Sequence, residues 1–291
     1  MRNGGELLAI DLCGGAGGWA CAARGLPIRI IAAIDYDITA LTTYQLNHPH
    51  VQPIVADVRN IPLAVSKLRS KVDLILGGIP CETISKWRDI ADHSKVTEKE
   101  LTNWHRTLDA CMEIVKEAQP RWWCLEDVNA IVDHLPILTP YQKIDAAGYG
   151  PQRRERVFVG EFPKPKAGRD RRVLADCLRR GPYRIGTRVL RRTPKRSQYF
   201  SADHHSWFDP GRKSHTVCAW SSRRDVDSVV VDGDLRRQLE WQEAAALQGF
   251  PDDYVFFGPP TAVGKHIGQA IQIDTGRAIL QAICDEREHE A

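Results

Sequence analysis

Residues 6–18 read ELLAIDLCGGAGG: an apolar run, Leu7-Leu8-Ala9-Ile10, passes through Asp11-Leu12-Cys13 and breaks into Gly14-Gly15-Ala16-Gly17-Gly18. A run this short is a strand length, and the glycines free the backbone for a tight turn before the next element. Outward from it, residues 28–35, 51–57 and 72–78 are further apolar runs, each ending at or beside an acid or a glycine, with helical stretches between them. That alternation predicts a βαβαβ unit and so a parallel, doubly wound α/β sheet. Ligands in such sheets lie at the carboxyl ends of the strands, where Asp11, Asp35, Asp57 and Gly77-Gly78 fall.

Beyond Pro80-Cys81, residues 97–119 predict a long helix with Leu101, Trp104, Leu108, Cys111, Met112 and Val115 on one face, ended by Pro120. Residues 121–125 return to strand and close on Glu126-Asp127, and 156–162 read as another strand. The tandem Trp122-Trp123 reads as sheet packing rather than a base-stacking platform. From Pro163 the rhythm dissolves; it returns at 239–247, and 265–288 predict one last helix.

The 291 residues are 43% apolar and 26% charged, which excludes a disordered or fibrous chain. The longest apolar runs fall far short of the roughly 20 residues of a membrane span, and no secretory pattern opens the chain, so a cytoplasmic protein with no membrane partner is expected. Eight cysteines without a CxxC spacing, and a His204-His205 pair without a ligand partner, give no metal site. The net charge of +3 is unevenly spread: residues 164–224 hold 17 Lys and Arg against four acids, leaving −10 on the remainder. A basic segment on an acidic body suits a phosphate-backbone binder; a solvated basic insert is the other reading.

Two stretches carry chemistry. The glycine turn after Asp11 lacks both the GxGxxG spacing of dinucleotide enzymes and a P-loop lysine, so it indicates a nucleotide-like cofactor without requiring phosphate; Asp35 is placed to accept from ribose hydroxyls, or is simply a strand-end acid. Residues 77–85, GGIPCETIS, set Cys81 on a loop rim at a strand terminus, where a thiol is a nucleophile candidate rather than a core residue.

Together these resemble the cytosine-C5 DNA methyltransferases that use S-adenosylmethionine. DLCGGAGGWA and AAIDYDITALTTYQLNHP resemble that family's opening motif and ribose-binding strand, GGIPCETIS its Pro-Cys loop, and Leu125-Glu126-Asp127-Val128 its Glu-Asn-Val motif. Residues 151–158, PQRRERVF, resemble its Gln-x-Arg-x-Arg strand. Residues 237–251 resemble the segment beside the recognition lobe, and Gly268-Gln269-Ala270-Ile271 the final cofactor motif. The resemblance implies a Rossmann-like, mostly parallel sheet formed by residues 1–163 and 236–291, with a small basic target-recognition lobe and its framework at 164–235. It implies that Cys81 attacks cytosine C6, that Glu126 acts at N3, and that Arg154 and Arg156 hold the base, the thiol loop or phosphate. It assigns S-adenosyl-L-methionine to Asp11, Cys13, Gly15, Gly17, Asp35, Tyr36, Asp57, Val58, Pro80, Gln269 and Ala270. DNA contacts are expected from Ser85, Lys86 and Arg88 on a lid at about 85–98, and from Arg191, Arg192, Lys195, Arg196 and Arg212. A monomer from a bacterium, archaeon or phage, with a companion restriction endonuclease, fits this reading.

The chain departs from the family pattern at Cys13 (usually Phe), Asp35 (Glu), Glu82 (Gln), Asp127 (Asn) and Gln269 (Asn). The interval from Val128 to Gly150 is too short for the usual helix and strand, so a trimmed sheet is expected, and a short recognition segment implies a short target sequence. Methylation of structured RNA is the near alternative, separated by comparing tRNA with duplex DNA as acceptor. A degenerate relative that binds without turnover is the other, separated by a covalent trapping test.

Overall fold

The computed structural model describes residues 5–61, 71–80, 97–178, 213–214, 216–217, 229–232, 235–238 and 240–290. Cys81, Glu82, Ser85, Lys86, Arg88, Arg191, Arg192, Lys195, Arg196, His204, His205 and Arg212 lie outside the described residues.

Five strands run parallel: β1 (Leu7–Leu12), β2 (Ile28–Asp35), β3 (Gln52–Val55), β4 (Leu74–Gly78) and β5 (Trp122–Asp127). With β6 (Tyr141–Asp145) and β7 (Glu155–Val159) they form one sheet ordered β3-β2-β1-β4-β5-β7-β6, in which β7 is antiparallel to both its neighbours. The chain leaves β1 for β2 and β3 on one side and returns to β4 on the other, so the sheet's switch point lies between the ends of β1 and β4.

Strand alternation sorts the side chains into two cores. Leu7, Ala9, Leu74, Leu76, Trp122 and Cys124 pack with α1 (Gly18–Ala23), α2 (Ile38–Asn47), α4 (Trp241–Leu247), α5 (Pro260–Gln269) and α6 (Ile273–Glu290). Ile10, Leu12, Ile75, Trp123 and Leu125 pack on the other face under α3 (Glu98–Ala118). Both tryptophans are therefore core, as their position predicts. Helix α3 keeps the expected limits because Thr97 and Glu100 form a reciprocal cap at its start and Gln119, at φ 49°, turns the chain left-handed at its end.

The single helix expected over 265–288 is two. After α5 the chain is extended at Ala270 (φ −64°, ψ 151°), and Gln272 Oε1 accepts from the Thr275 N–H at 2.7 Å, starting α6 afresh. The trimmed sheet is met only in part. The Val128–Gly150 interval has a 3-10 turn, Asn129–His134, in place of a helix, yet it retains β6. That edge strand exposes Tyr141, Lys143 and Asp145 and buries only Ile144, so it carries little apolar signal.

Beyond the sheet, β8 (Val229–Asp232) and β9 (Leu235–Gln238) form an antiparallel pair. Residues 164–178, grouped by charge with the basic lobe, lie against the sheet domain: Leu174 is fully buried, and the Asp170 N–H donates to Gly148 O at 2.9 Å. Among the described residues no helix is long and apolar enough to cross a membrane.

Candidate active site

The glycine turn is fixed from below and behind. Gly17 adopts φ 89°, and a Cβ there would come within 2.7 Å of the Tyr254 hydroxyl, so the left-handed turn needs glycine on both counts. That hydroxyl donates to Ala16 O at 2.6 Å. Asp35, at the end of β2, accepts the Gly15 N–H through Oδ2 and the Asp37 N–H through Oδ1, both at 2.8 Å. Burial raises the proton affinity of its carboxyl above the ordinary range, against these two donors. Asp11 is fully buried, accepts from the Tyr44 hydroxyl at 3.1 Å, and is pushed up to about 7, chiefly by burial.

In front of the turn a two-part cleft opens at the switch point, and its halves share Cys13, Asp35, Tyr36 and Pro80. One half is walled by Gly14, Gly15, Trp19, Gly78, Gln269 and Ala270. The other is walled by Ile34, Asp57, Val58, Asn103, Trp104 and Thr107. A Cβ built on Gly15 or on Gly78 would find no atom within 4 Å, so both glycines leave room that a ligand can occupy. A glycine-backed compartment, a carboxylate at the waist and a flatter compartment edged by Tyr36 and Trp104 fit an amino acid joined to a nucleoside.

Nine of the eleven residues expected at the cofactor line this cleft. Asp11 and Gly17 do not: they stand behind its wall, where they shape the turn. Cys13, with φ 53°, sits where the two halves meet, and its thiol is held well above its usual range, first by the Cys111 thiol and then by burial. Asp57 is engaged by the Arg59 guanidinium, which holds its carboxyl below the usual range. Sequence reasoning missed Tyr254, Asn103, Thr107, and His266, whose Nε2 lies 3.0 Å from Asp37 Oδ2 at the cleft wall. His266 stands three residues before Gln269, one helical turn away, which is the signal that could have found it.

Glu126 is the last residue but one of β5, only 4% exposed. Its Oε1 lies 3.2 Å from Arg156 Nε and 3.9 Å from the Arg154 guanidinium. It caps no helix; the residue before the following 3-10 turn is Val128. The Ile79 N–H donates to Glu126 O at 3.0 Å, tying the exit of β4, two residues before Cys81, to the same strand end. The two arginines do different work. Arg154 donates to Val217 O at 2.8 Å, Gly268 O at 3.1 Å and Ala270 O at 3.2 Å, whereas Arg156 Nε faces Glu126. Gln152 and Gln248 extend the Arg154 cluster: the Gln152 amide donates to Leu247 O and Gln248 Oε1, and the Gln248 amide to Ile267 O and Ala270 O. The site therefore offers a buried carboxyl held by a guanidinium at a strand end, beside a cleft shaped for a nucleoside.

Comparison with known proteins agrees with this geometry. The family profile for C-5 cytosine-specific DNA methylases matches residues 7–167 and 179–285. The chain is 26% identical to the Type II methyltransferase M.SacI of Streptomyces achromogenes, over 97% of this chain and 93% of that protein. It is also 26% identical to the Type II methyltransferase M.NgoMIV of Neisseria gonorrhoeae, over 97% and 99%. The crystal structure of the S. pombe Dnmt2 methyltransferase shares the fold, with a TM-score of 0.69 at 15% identity, covering 97% of this chain and 99% of that one.

Proposed function

The chain belongs to the C-5 cytosine-specific DNA methylase family, and from that membership we propose that it methylates a cytosine flipped out of duplex DNA, through a bond between Cys81 and cytosine C6, with S-adenosyl-L-methionine as donor. Cytosine C5 is a weak nucleophile. Addition of the Cys81 thiolate at C6 turns C4–C5–C6 into an enamine, and C5 can then take a methyl group. Loss of the C5 proton and expulsion of the Cys81 thiolate restore the ring. Charge that reaches N3 during the addition would be relieved by a proton shared with Glu126, which Arg156 orients through Nε, and the same guanidinium would help to hold the base O2. When bound, the cofactor supplies its methyl group from a cationic sulfonium; Asp35 would take its ribose hydroxyls, Asp57 and Val58 the adenine edge, and Gln269 and Ala270 close the methionine end.

The observation that carries this reading is the buried Glu126–Arg156 contact, 3.2 Å long, at the strand end adjoining the segment that leads to Cys81. The basic segment 164–235 would hold phosphates, with Arg191, Arg192, Lys195, Arg196 and Arg212 among its contacts, and Ser85, Lys86 and Arg88 would do so from the lid. The Type II relatives support pairing with a companion endonuclease. Tritium transfer from labelled S-adenosylmethionine to duplex DNA tests the function. Transfer is expected with the wild type, is abolished by Cys81→Ser and falls by about 10²–10⁴-fold in Glu126→Gln. Undiminished transfer in Cys81→Ser refutes the mechanism.

A further inference from the structure

Asp127 follows Glu126 on β5 and so points to the opposite face of the sheet, beneath α3. It is completely buried. Its Oδ1 accepts the Val128 N–H at 2.6 Å, the contact that turns the chain out of β5. Its Oδ2 has no hydrogen-bond partner among the described residues, and neither has the indole N–H of Trp104, which lies toward it from α3. The charged and titratable groups around it are Glu126 on its own strand, Arg156 on β7, and, beyond Trp104, the His105–His134 pair, 3.0 Å apart and each edge-on to the indole. Arg156 Nε is engaged with Glu126, and no salt bridge to Asp127 is found among the described residues. A carboxylate so placed would be a buried charge with one hydrogen-bonded N–H, at Val128, and only the weaker pull of the Trp104 indole N–H beside it; a carboxylic acid would not.

We propose that Asp127 is held as a neutral carboxylic acid and acts as a positioning residue: it serves as a side-chain amide would, fixing the Val128 turn without placing a charge beside Glu126. Burial, aided by the neighbouring Glu126, pushes its carboxyl well above the usual carboxylate range, against the opposing Val128 N–H, Arg156 and the Trp104 indole N–H. Trp104, which Asp127 underlies, walls the nucleoside half of the cleft. Ionisation would therefore place a negative charge beside Glu126 and under that wall. The effect on catalysis rests on the role proposed above for Glu126; the protonation state does not.

The test compares the full-length wild type with Asp127→Asn by denaturant unfolding over a range of pH. The folded protein keeps a proton that the unfolded chain, with its ordinary aspartate value of 3.8, has released. The stability from that proton is complete below the unfolded value and is lost as pH rises towards the folded one. Relative to the amide variant, the wild-type unfolding constant should grow about tenfold per pH unit from roughly pH 5 upward, until the folded carboxyl itself ionises. Asp11 is common to both proteins and cancels. Methyl transfer by the wild type should show an alkaline decline that Asp127→Asn lacks, whereas Asp127→Ala, without an acceptor for Val128, should be slow throughout. A stability gap that does not change with pH, or a wild type that gains on the variant as pH rises, overturns the protonation claim. A shared alkaline decline overturns the positioning role alone. Should the amide variant fail to fold, nuclear magnetic resonance of the wild type with labelled aspartate decides: an Asp127 carboxyl resonance still in its acid position well above the ordinary aspartate value supports the proposal, and one that has already left it there refutes it.

Discussion

Tyr254 reaches the glycine turn from a segment more than two hundred residues away in sequence, and one hydroxyl sets the turn's height. It donates to Ala16 O while its oxygen lies 3.3 Å from His48 Nε2, and Gly17 leaves the space it occupies. Removing that hydroxyl frees the backbone that forms the floor of the cleft. Tyr254→Phe is expected to lower stability by about 0.5–1.5 kcal/mol in denaturant titrations. Cofactor binding, measured by calorimetry, should weaken with it, because the carbonyl of Ala16 is left buried without its donor. Unchanged binding would show that the turn holds its shape unaided. None of this is visible in residues 251–257, PDDYVFF, where one aromatic looks like the next. Cys13 and Asp35, by contrast, could be placed at the cleft from sequence, since each stands at the end of a buried apolar run.

The elements tell the same story at larger size. β1, β2, β4 and α3 lie within two residues of the limits their patterns predict, because each is a continuous apolar run or a face with a strong cap. The break between α5 and α6 was hidden because it is made by the side chain of Gln272 and by the Ala270 carbonyl, which accepts from Arg154 and Gln248, not by a proline or glycine at the joint. β6 was hidden because a mostly polar edge strand offers no apolar run. Arg154 is the clearest case. Its spacing from Arg156 suggests a shared role, yet its donors join the entry of β7 to the α5–α6 joint and to Val217. Arg154→Lys, which cannot reach carbonyls on both sides, should cost about 1–3 kcal/mol and weaken cofactor binding through Ala270. Arg156→Lys keeps a counter-charge for Glu126 and should leave stability within about 0.5 kcal/mol while slowing methyl transfer. Thermal melts beside steady-state rates separate the two; equal melting losses would make both arginines structural.

At the scale of the whole molecule, the uneven charge gains a physical reading. The sheet domain carries the acids, among them Asp35 at the cleft and Glu126 at the strand end, while the basic residues concentrate in the segment between β7 and α4. Under the proposed function, a cationic sulfonium and a polyanionic duplex would be drawn to different parts of one chain. Among the described residues two stretches of that basic segment lie against the sheet domain: its start, through Leu178, with Lys166 paired to Asp285 at 2.8 Å, and residues 213–214 with 216–217, where Lys213 donates to Gly150 O at 2.8 Å and the Val217 N–H to Gln152 Oε1 at 3.0 Å. What unites the parts is the proposed bond between Cys81 and a flipped cytosine, which requires cofactor, lid, basic segment and Glu126 to act on one base. Duplex DNA carrying 5-fluorocytosine measures this directly, because fluorine at C5 cannot leave as a proton does and the methylated adduct cannot eliminate. With S-adenosylmethionine present, a protein–DNA adduct that survives denaturation should form with the wild type and be absent with Cys81→Ser. An adduct that persists in Cys81→Ser, or methylated cytosine accumulating on ordinary DNA while no adduct forms on the fluorinated duplex, would contradict the covalent mechanism.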